Sequence, residues 1–292
     1  MTEIRKQLRR RLEDKAILMA PGAYDALTAV LCERAGFEAL YLTGAGVSYS
    51  TLGKSDVGLV TMSEMAGKAA YICEAVSIPV IADGDNGYGN AINVMRTVRE
   101  YERAGVSAIQ LEDQVFPKRC GHLANKSLIS TAEMVAKIHA AVDARQDENF
   151  LIIARTDARA TDGLDAAIER ALRYEEAGAD VIFVEAPESE SEMRRITESL
   201  HKPLMANMVE GGKTPILSAE QLQEIGYALV IFPNSVTRVI AKAAGDFYRS
   251  LKETGVTTHY YDRMLQFNEL NQILGIEKFR ELEQKYNEQN FK

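Results

Sequence analysis

Acidic side chains follow several apolar runs of this chain at the point where each run ends. Asp83 and Asp85 follow one run. Glu112 and Glu185 follow two later runs. Carboxylate oxygens are the ligands preferred by a hard cation such as Mg²⁺, which takes one or two of them and keeps several waters. For an isolated Asp-x-Asp, helix capping or pairing with a basic residue is the better explanation. Because acids follow three separate runs here, the sequence favours a cation site.

A second group with chemical potential is a thiol inside a basic segment. The segment consists of Lys118, Arg119, Cys120, Gly121 and His122. Neighbouring cations lower the pKa of a thiol, which can then act as a general acid or base, or as a nucleophile. The alternative is an ordinary loop cysteine. Cys32 and Cys73 lie in apolar helical patterns, and we expect both in the core.

Arg155 directly follows another apolar run and is suited to bidentate carboxylate recognition. Its structural alternative is a salt bridge with Asp157 or Glu185. The stretch Gly44-Ala45-Gly46 begins like a dinucleotide-binding fingerprint, but Tyr49 stands where the third glycine is needed. We therefore exclude dinucleotide binding, while the backbone N–H groups there remain suited to binding a carboxylate.

Eight apolar runs provide the elements that must position these groups. The predicted strands are Ile17–Ala20, Ala39–Leu42, Val80–Ala82, Ala108–Leu111, Leu151–Ala154, Val181–Val184, Leu204–Ala206 and Leu229–Phe232. The runs are almost entirely apolar, as parallel strands buried on both faces require. Helical patterns such as Leu164–Ala177, which ends at Gly178, separate them. The alternation predicts an α/β fold, a (β/α)8 TIM barrel.

In such a barrel, the residues that follow the strands converge at the C-terminal face. Charged or amide groups follow five consecutive predicted strands, which favours one polar site over simple barrel packing. With no linker or low-complexity segment, we predict one barrel domain over residues 1–292. Residues 239–292 exceed the length of one barrel helix, and we expect a C-terminal helical extension that makes oligomer contacts.

Composition restricts the partners of the protein. The chain has 292 residues, 46% hydrophobic and 26% charged, with a net charge of −8. This charge argues against general binding to nucleic acid or to an anionic membrane. The charged N-terminus lacks the apolar region of a secretory signal, and no apolar run reaches transmembrane length. Three widely spaced cysteines favour reduced thiols, so we expect a cytoplasmic protein.

The order of the motifs ADGDNGYG, LEDQ, KRCGH, ARTDA and ANMVEGG resembles the isocitrate lyase/phosphoenolpyruvate mutase superfamily. The resemblance extends from Pro21 through Arg238, and it is strongest to the methylisocitrate lyase and 2,3-dimethylmalate lyase branch. It implies a barrel that depends on Mg²⁺, with Mn²⁺ as a substitute. It also implies a homotetramer whose last helices are exchanged between subunits.

The same resemblance implies roles for individual residues. Asp83 and Asp85 match the metal-binding acids, and Glu112 matches an acid that reaches the metal through water. Cys120 matches a catalytic acid/base on a gating loop, accompanied by Lys118, Arg119, Gly121 and His122. The residues implied for the substrate site are Tyr41, Thr43, Gly44, Ala45, Asp56, Arg155, Glu185, Asn207, Val209, Pro233 and Arg238.

Positions at which this chain departs from the family pattern restrict the range of expected substrates. Val209 replaces a threonine of methylisocitrate lyase, and Phe267 replaces an arginine; both family residues bind extra carboxylates. An unpaired buried charge costs several kcal/mol, whereas a methyl group would fit. Pro233 stands where oxaloacetate hydrolases carry serine. We therefore rank oxaloacetate hydrolysis below alkylmalate cleavage among the expected activities. Phosphonopyruvate-forming mutases usually lack the cysteine of KRCGH, but carboxyphosphonoenolpyruvate mutases can retain it.

These observations predict a Mg²⁺-dependent carbon–carbon lyase acting on a small carboxylic acid. The expected substrate is a 2-hydroxy dicarboxylate, 2,3-dimethylmalate or another alkylmalate, cleaved to pyruvate and a carboxylic acid such as propionate. The alternatives are a methylisocitrate lyase, a carboxyphosphonoenolpyruvate phosphonomutase, and an oxaloacetate hydrolase or decarboxylase. A non-catalytic barrel that binds a keto acid ranks last, because the acid/base cysteine and the metal-binding acids are all present.

Overall fold

Eight parallel strands form a nearly closed barrel. The computed structural model describes residues 1–118 and 126–291. The strands are β1 (Leu18–Ala23), β2 (Leu40–Leu42), β3 (Val80–Asp83), β4 (Ala108–Glu112), β5 (Leu151–Thr156), β6 (Val181–Val184), β7 (Met205–Asn207) and β8 (Leu229–Phe232). Their order is β6-β5-β4-β3-β2-β1-β8-β7. A parallel bridge between Ile182 and Leu204 joins β6 to the start of β7. The predicted TIM barrel is confirmed.

All eight predicted strands are present, and the largest difference is at β1. The predicted strand ends at Ala20, whereas β1 continues through Pro21 to Ala23. In the structure Pro21 pairs in register with Phe232 of β8, and pairing with β2 begins only at Gly22. A Cβ atom at Gly22 would lie 2.0 Å from the Pro233 carbonyl oxygen. Only glycine therefore permits this close approach of β1 to the end of β8.

Helices separate the strands. Those of the barrel are α1 (Thr2–Glu13), α2 (Ala26–Arg34), α3 (Gly44–Val47), α4 (Met62–Ala75), α5 (Ala91–Arg103), α6 (Thr131–Ala144), α7 (Ala158–Thr161), α8 (Leu164–Glu176), α9 (Glu190–Ser199) and α10 (Ala219–Ile225), with a π-helical turn at Ser48–Leu52. Several begin at a side-chain cap. The Thr61 hydroxyl accepts a hydrogen bond from the Glu64 N–H, and Glu64 accepts one in return from the Thr61 N–H. Such reciprocal caps fix where a helix starts after a loop.

Helix α1 closes the N-terminal end of the barrel. Leu8 and Leu12 pack in one apolar cluster with inward-facing strand residues such as Leu151 and Leu229. Each leucine buried in this way contributes roughly 1.5–3 kcal/mol. The buried Arg5 side chain donates to the carbonyl oxygens of Val106 at 3.0 Å and Glu102 at 2.6 Å. With this end closed, the polar groups of the barrel gather at the opposite, C-terminal face.

The C-terminal region forms a second compact unit, Arg238–Lys292. Helix α11 (Ser235–Thr254) begins before this boundary, and it is followed by α12 (Phe267–Ile273) and α13 (Ile276–Lys285), with 3-10 turns at Thr258–Arg263 and Glu288–Phe291. The predicted C-terminal helices are therefore confirmed. Phe247 packs edge-on against Tyr260. In the described part of the chain, no helix is both long and apolar enough to cross a bilayer.

Candidate active site

One cavity at the C-terminal face of the barrel brings together most of the residues predicted for the site. It is lined by Tyr41, Thr43, Ala45, Asp56, Asp83, Glu112, Lys118, Arg155, Phe183, Glu185, Asn207, Val209, Ile231, Pro233 and Asn234. These residues come from seven of the eight strands, β2 to β8, and from the segments that follow them. The C-terminal face of a TIM barrel is the usual place for a small-molecule site, and convergent polar groups there favour one.

The acidic side of the cavity is an ionic cluster built around Lys118. The Lys118 ammonium lies 2.7 Å from Oδ1 of Asp56 and 2.7 Å from Oδ1 of Asp85. The Asp85 N–H donates to Oδ1 of Asp83 at 3.0 Å, which joins the two aspartates of the DGD motif. All four side chains are buried. Buried charges of this kind persist only when they are paired or bind a cation.

The predicted metal-binding acids fit a divalent cation that is held partly through water. Among residues 1–118 and 126–291, no three His, Cys, Asp or Glu side chains are arranged as a direct metal-binding cluster. However, Oε1 of Glu112 is buried and has no hydrogen-bond partner among those residues. A Cβ atom at Gly44 would lie 2.7 Å from Oδ2 of Asp83, so the backbone approaches that carboxylate closely. One or two direct carboxylates with a third acid behind water is the arrangement that Mg²⁺ favours.

Burial and repulsion between the acids raise the pKa values of carboxyl groups in this cluster, and a bound cation would counteract that rise. Burial raises the pKa of Asp85 to about 7; Lys118 opposes this change, while Asp83 and Asp56 add to it. Burial likewise raises the pKa of Glu112 well above its ordinary value. The positive charge of the neighbouring basic side chains therefore does not fully offset the negative charge of these carboxylates. A bound divalent ion would favour the charged forms of the carboxylates.

Arg155 is a fixed cation that contacts the acidic groups of the cavity through Glu112 and Glu185. Its Nη1 lies 3.4 Å from Oε2 of Glu112, and its Nη2 lies 3.3 Å from Oε2 of Glu185. Its guanidinium carbon lies 5.2 Å from the centre of the Phe183 ring. Burial alone would lower the pKa of Arg155, but Asp157, Glu112 and Glu185 outweigh it and raise that pKa well above its usual value. The expected structural salt bridges are thus present on a residue that also lines the cavity.

Hydrogen bonds also order the remaining polar wall. Asn207 Nδ2 donates to Oε2 of Glu185 at 3.1 Å. The Thr43 hydroxyl donates to Oδ1 of Asn234 at 3.1 Å, and the Tyr41 hydroxyl donates to the Gln110 side chain at 2.8 Å. Burial raises the pKa of Tyr41 well above its ordinary value, so this phenol stays neutral.

Seven predicted site residues lie either outside the described residues or outside the lining of this cavity. Arg119, Cys120, Gly121 and His122 lie outside the described residues. Arg238 is the first residue of the second unit, within α11. Two others border the cavity without lining it: Gly44 begins α3, which Thr43 caps, and Asp85 pairs with Lys118. The catalytic and binding roles assigned to these residues stay predictions.

Comparison with known proteins decides the family. The profile of the phosphoenolpyruvate phosphomutase family matches residues 8–252, which is most of the chain. This chain belongs to that family. The resemblance to the isocitrate lyase/phosphoenolpyruvate mutase superfamily is thereby confirmed.

Two relatives and one solved structure of the phosphoenolpyruvate phosphomutase family are similar over almost their whole length. A 2,3-dimethylmalate lyase of Eubacterium barkeri is 52% identical over 280 residues, covering 96% of this chain and 97% of that one. A 2-methylisocitrate lyase of Aeropyrum pernix is 50% identical over 268 residues, covering 92% and 86%. A crystal structure of phosphonopyruvate hydrolase in complex with oxalate and Mg²⁺ superposes with a TM-score of 0.88 at 32% identity, covering 97% and 98%.

Sequence reasoning missed three cavity residues in this member of the family. Phe183 and Ile231 lie within strands that are apolar throughout, so no alternation marks which side chains face the barrel axis. Asn234 follows the eighth strand beside Pro233, and its position was a usable signal. Asp157 was considered only as a salt-bridge partner, but its contact with Arg155 makes it part of the site's support.

Proposed function

We propose that this protein is a divalent-metal-dependent carbon–carbon lyase that cleaves 2,3-dimethylmalate or a related alkylmalate to pyruvate and propionate or a similar acid. The observation that carries the proposal is one cavity that brings together the carboxylates of Asp83 and Glu112 and the guanidinium of Arg155. Such a cavity suits a small dianion that binds a metal with one end and a guanidinium with the other. Relatives that are 52% and 50% identical and are named lyases support the same activity.

Asp83 and Asp85 would hold Mg²⁺, or Mn²⁺ in its place, with Glu112 acting through water. The bound ion would polarise the 2-hydroxyl and adjacent carboxylate of the substrate. The buried Glu112 Oε1, which lacks a partner among the described residues, supports this assignment. Lys118 would offset part of the remaining charge of Asp56 and Asp85.

The chain's own groups would stabilise the charge that develops when the carbon–carbon bond breaks. Arg155 lies within the cavity as a permanent cation, and an enolate formed from the leaving fragment would be stabilised beside it. The segment Thr43–Ala45 would bind the carboxylate of the pyruvate product, as the family resemblance implies. The 2-hydroxyl proton would pass to water as the C2–C3 bond breaks and the hydroxyl becomes the carbonyl of pyruvate. Cys120 would then protonate the enolate carbon, and Arg238 would add a second substrate-side cation.

An apolar wall supports an alkylmalate over a tricarboxylate. Val209, Ile231 and Pro233 line the cavity next to Asn207. A methyl group would pack on these side chains, whereas a third carboxylate would lose hydration there without gaining a donor. The second candidate is a methylisocitrate lyase, because a relative with that activity is 50% identical.

We also propose a cytoplasmic homotetramer with exchanged C-terminal helices. In residues 238–291 no side chain is buried, and large apolar groups are exposed, including Phe267 at 83%. Covering such groups in an assembly would remove apolar surface from water. Cys32 and Cys73 are free thiols, which supports a reducing compartment.

A substrate panel tests the proposal. Purified protein is assayed for pyruvate, by coupling to lactate dehydrogenase, with alkylmalates, methylisocitrate and oxaloacetate. We expect 2,3-dimethylmalate to give the highest kcat/KM, with activity lost on chelation and restored by Mg²⁺. Phosphorus NMR with carboxyphosphonoenolpyruvate serves as the matched assay for a phosphonomutase. Absence of metal-dependent pyruvate release from every acid, or formation of a C–P bond, would overturn the assignment.

A further inference from the structure

In the loop 83–87, which carries Asp83 and Asp85, every backbone carbonyl accepts a hydrogen bond. Two partners are backbone N–H groups: Gly87 N donates to Gly84 O at 2.9 Å, and Glu112 N donates to Asp85 O at 2.9 Å. The other three carbonyls accept from side chains on neighbouring helices. These bonds run from Tyr101 Oη to Asp83 O at 3.0 Å, from Lys137 Nζ to Asn86 O at 3.0 Å, and from Thr97 Oγ1 to Gly87 O at 3.1 Å.

These bonds hold a conformation that the loop would not favour alone. Asp85 has φ +46°, in the left-handed region. That region costs most non-glycine residues roughly 1–2 kcal/mol, and aspartate less because its short side chain can form local hydrogen bonds. Such conformations persist where the surroundings over-determine them, and they are common at functional sites. The next peptide carbonyl along the chain, that of Asn86, is the one bound by Lys137.

Lys137 is an unusual residue for this position. It lies on α6, 51 positions from Asn86 in sequence, and is only 3% exposed. Burial lowers the pKa of its ammonium group, while Glu133 acts in the opposite direction. Lysine is rarely buried this deeply, and an apolar side chain usually stabilises a core at least as well as a buried charge does. In the structure the Lys137 ammonium has a defined partner, the backbone carbonyl of Asn86 in the loop that carries Asp83 and Asp85.

We propose that Lys137 is a positioning residue for the divalent-cation site, acting by fixing the Asn86 carbonyl and hence the direction of the Asp85 carboxylate. The inference rests on the proposed function, since it takes Asp83 and Asp85 as the residues that hold the cation. Outer groups that orient metal ligands typically alter metal affinity 10- to 100-fold when they are removed. A purely structural lysine would affect stability and leave metal affinity unchanged.

The test measures Mn²⁺ binding directly, by titration calorimetry and by electron paramagnetic resonance of the free ion. We expect Lys137→Met to raise the Kd for Mn²⁺ roughly 10- to 100-fold. Ile138→Val is the matched control, because it trims a buried side chain of the same helix and removes no hydrogen-bonding group. It should keep the wild-type Kd. Lys137→Arg, which retains a cationic donor, should recover part of the affinity.

A second variant keeps the inference falsifiable if Lys137→Met does not fold. Thr97→Val removes the hydroxyl that binds Gly87 O and leaves the side-chain volume nearly unchanged. It should also weaken Mn²⁺ binding, by several-fold. Wild-type protein that binds no Mn²⁺ would refute the proposed cation site itself. A folded Lys137→Met that binds Mn²⁺ as tightly as the wild type would refute the positioning role and leave the cation site standing. If Lys137→Met does not fold, undiminished binding by Thr97→Val would refute it in the same way.

Discussion

Arg155 binds Asp157 through two parallel hydrogen bonds, from Nε to Oδ2 at 2.9 Å and from Nη2 to Oδ1 at 3.0 Å. Lys126 also donates to Oδ1 of Asp157 at 2.7 Å. Burial would raise the pKa of Asp157, but Arg155 and Lys126 outweigh it and lower that pKa to about 2. A permanently charged carboxylate therefore occupies one edge of the guanidinium and fixes its plane. Nη1, the nitrogen that these two bonds leave out, lies near Glu112.

Arg155→Lys should lower kcat/KM for the preferred alkylmalate by about 100-fold, the scale expected when a binding group is displaced by about 1 Å. Lysine keeps the charge but cannot form the paired bonds to Asp157. Steady-state pyruvate release measures the effect. Arg173→Lys, at an exposed pair with Glu176, is the control and should be neutral. Equal kcat/KM in the two variants would contradict the role of Arg155.

Asp83→Asn should weaken Mn²⁺ binding at least about 10-fold, because a neutral amide replaces a charged oxygen ligand. Calorimetric titration at constant pH gives the Kd without relying on turnover. Asp165→Asn, an exposed residue paired with Arg195, should bind as the wild type does. Undiminished affinity in Asp83→Asn would mean that the cation is held elsewhere.

Val209→Thr should shift the preference towards methylisocitrate. The new hydroxyl can donate to an additional carboxylate, and a net hydrogen bond of about 1 kcal/mol corresponds to roughly a fivefold change. The ratio of kcat/KM for methylisocitrate to that for 2,3-dimethylmalate is the relevant measurement. Val209→Ala changes volume without adding a donor and should not raise this ratio. A ratio that stays the same in Val209→Thr would separate this side chain from substrate choice.

Cys120→Ser should sharply lower kcat while substrate binding largely persists, because a serine hydroxyl is a far weaker acid than a thiol. Single-turnover kinetics and substrate titration separate the two effects. Cys73→Ser provides the comparison, since burial raises the pKa of Cys73 to about 12 and makes it unreactive. Near-normal turnover in Cys120→Ser would remove this residue from the acid/base role.

The stability of the N-terminal end of the barrel should depend on pH through Asp147. Burial alone would raise the pKa of Asp147, but hydrogen bonds from Asn149 and Arg5 outweigh it and lower the pKa to about 2. In the unfolded chain the pKa is about 3.9. The stabilisation is therefore present above about pH 4 and lost as the pH falls towards 2. Urea unfolding at stepped pH should show a shallower decline for Asp147→Asn; identical slopes would contradict the assignment.

The sequence by itself determined the barrel and most of the cavity. Nearly continuous apolar runs such as Val181–Val184 are typical of parallel strands buried on both faces, and polar residues such as Asp83 and Arg155 stand at or directly after the strands. Because strand ends meet at one face of a barrel, position in the chain was enough to place these residues together.

The tertiary structure determined which residues pack against the cavity residues and hold them in position. Phe183 faces the cavity and Leu8 closes the far end, and neither position could be assigned from apolar patterns alone. Lys137 meets Asn86 across 51 residues, and Asp157 meets Lys126 across 31. Such contacts depend on strand register and on how each helix packs against the closed barrel. The local sequence does not predict these contacts, because the residues come together only when the whole barrel has formed.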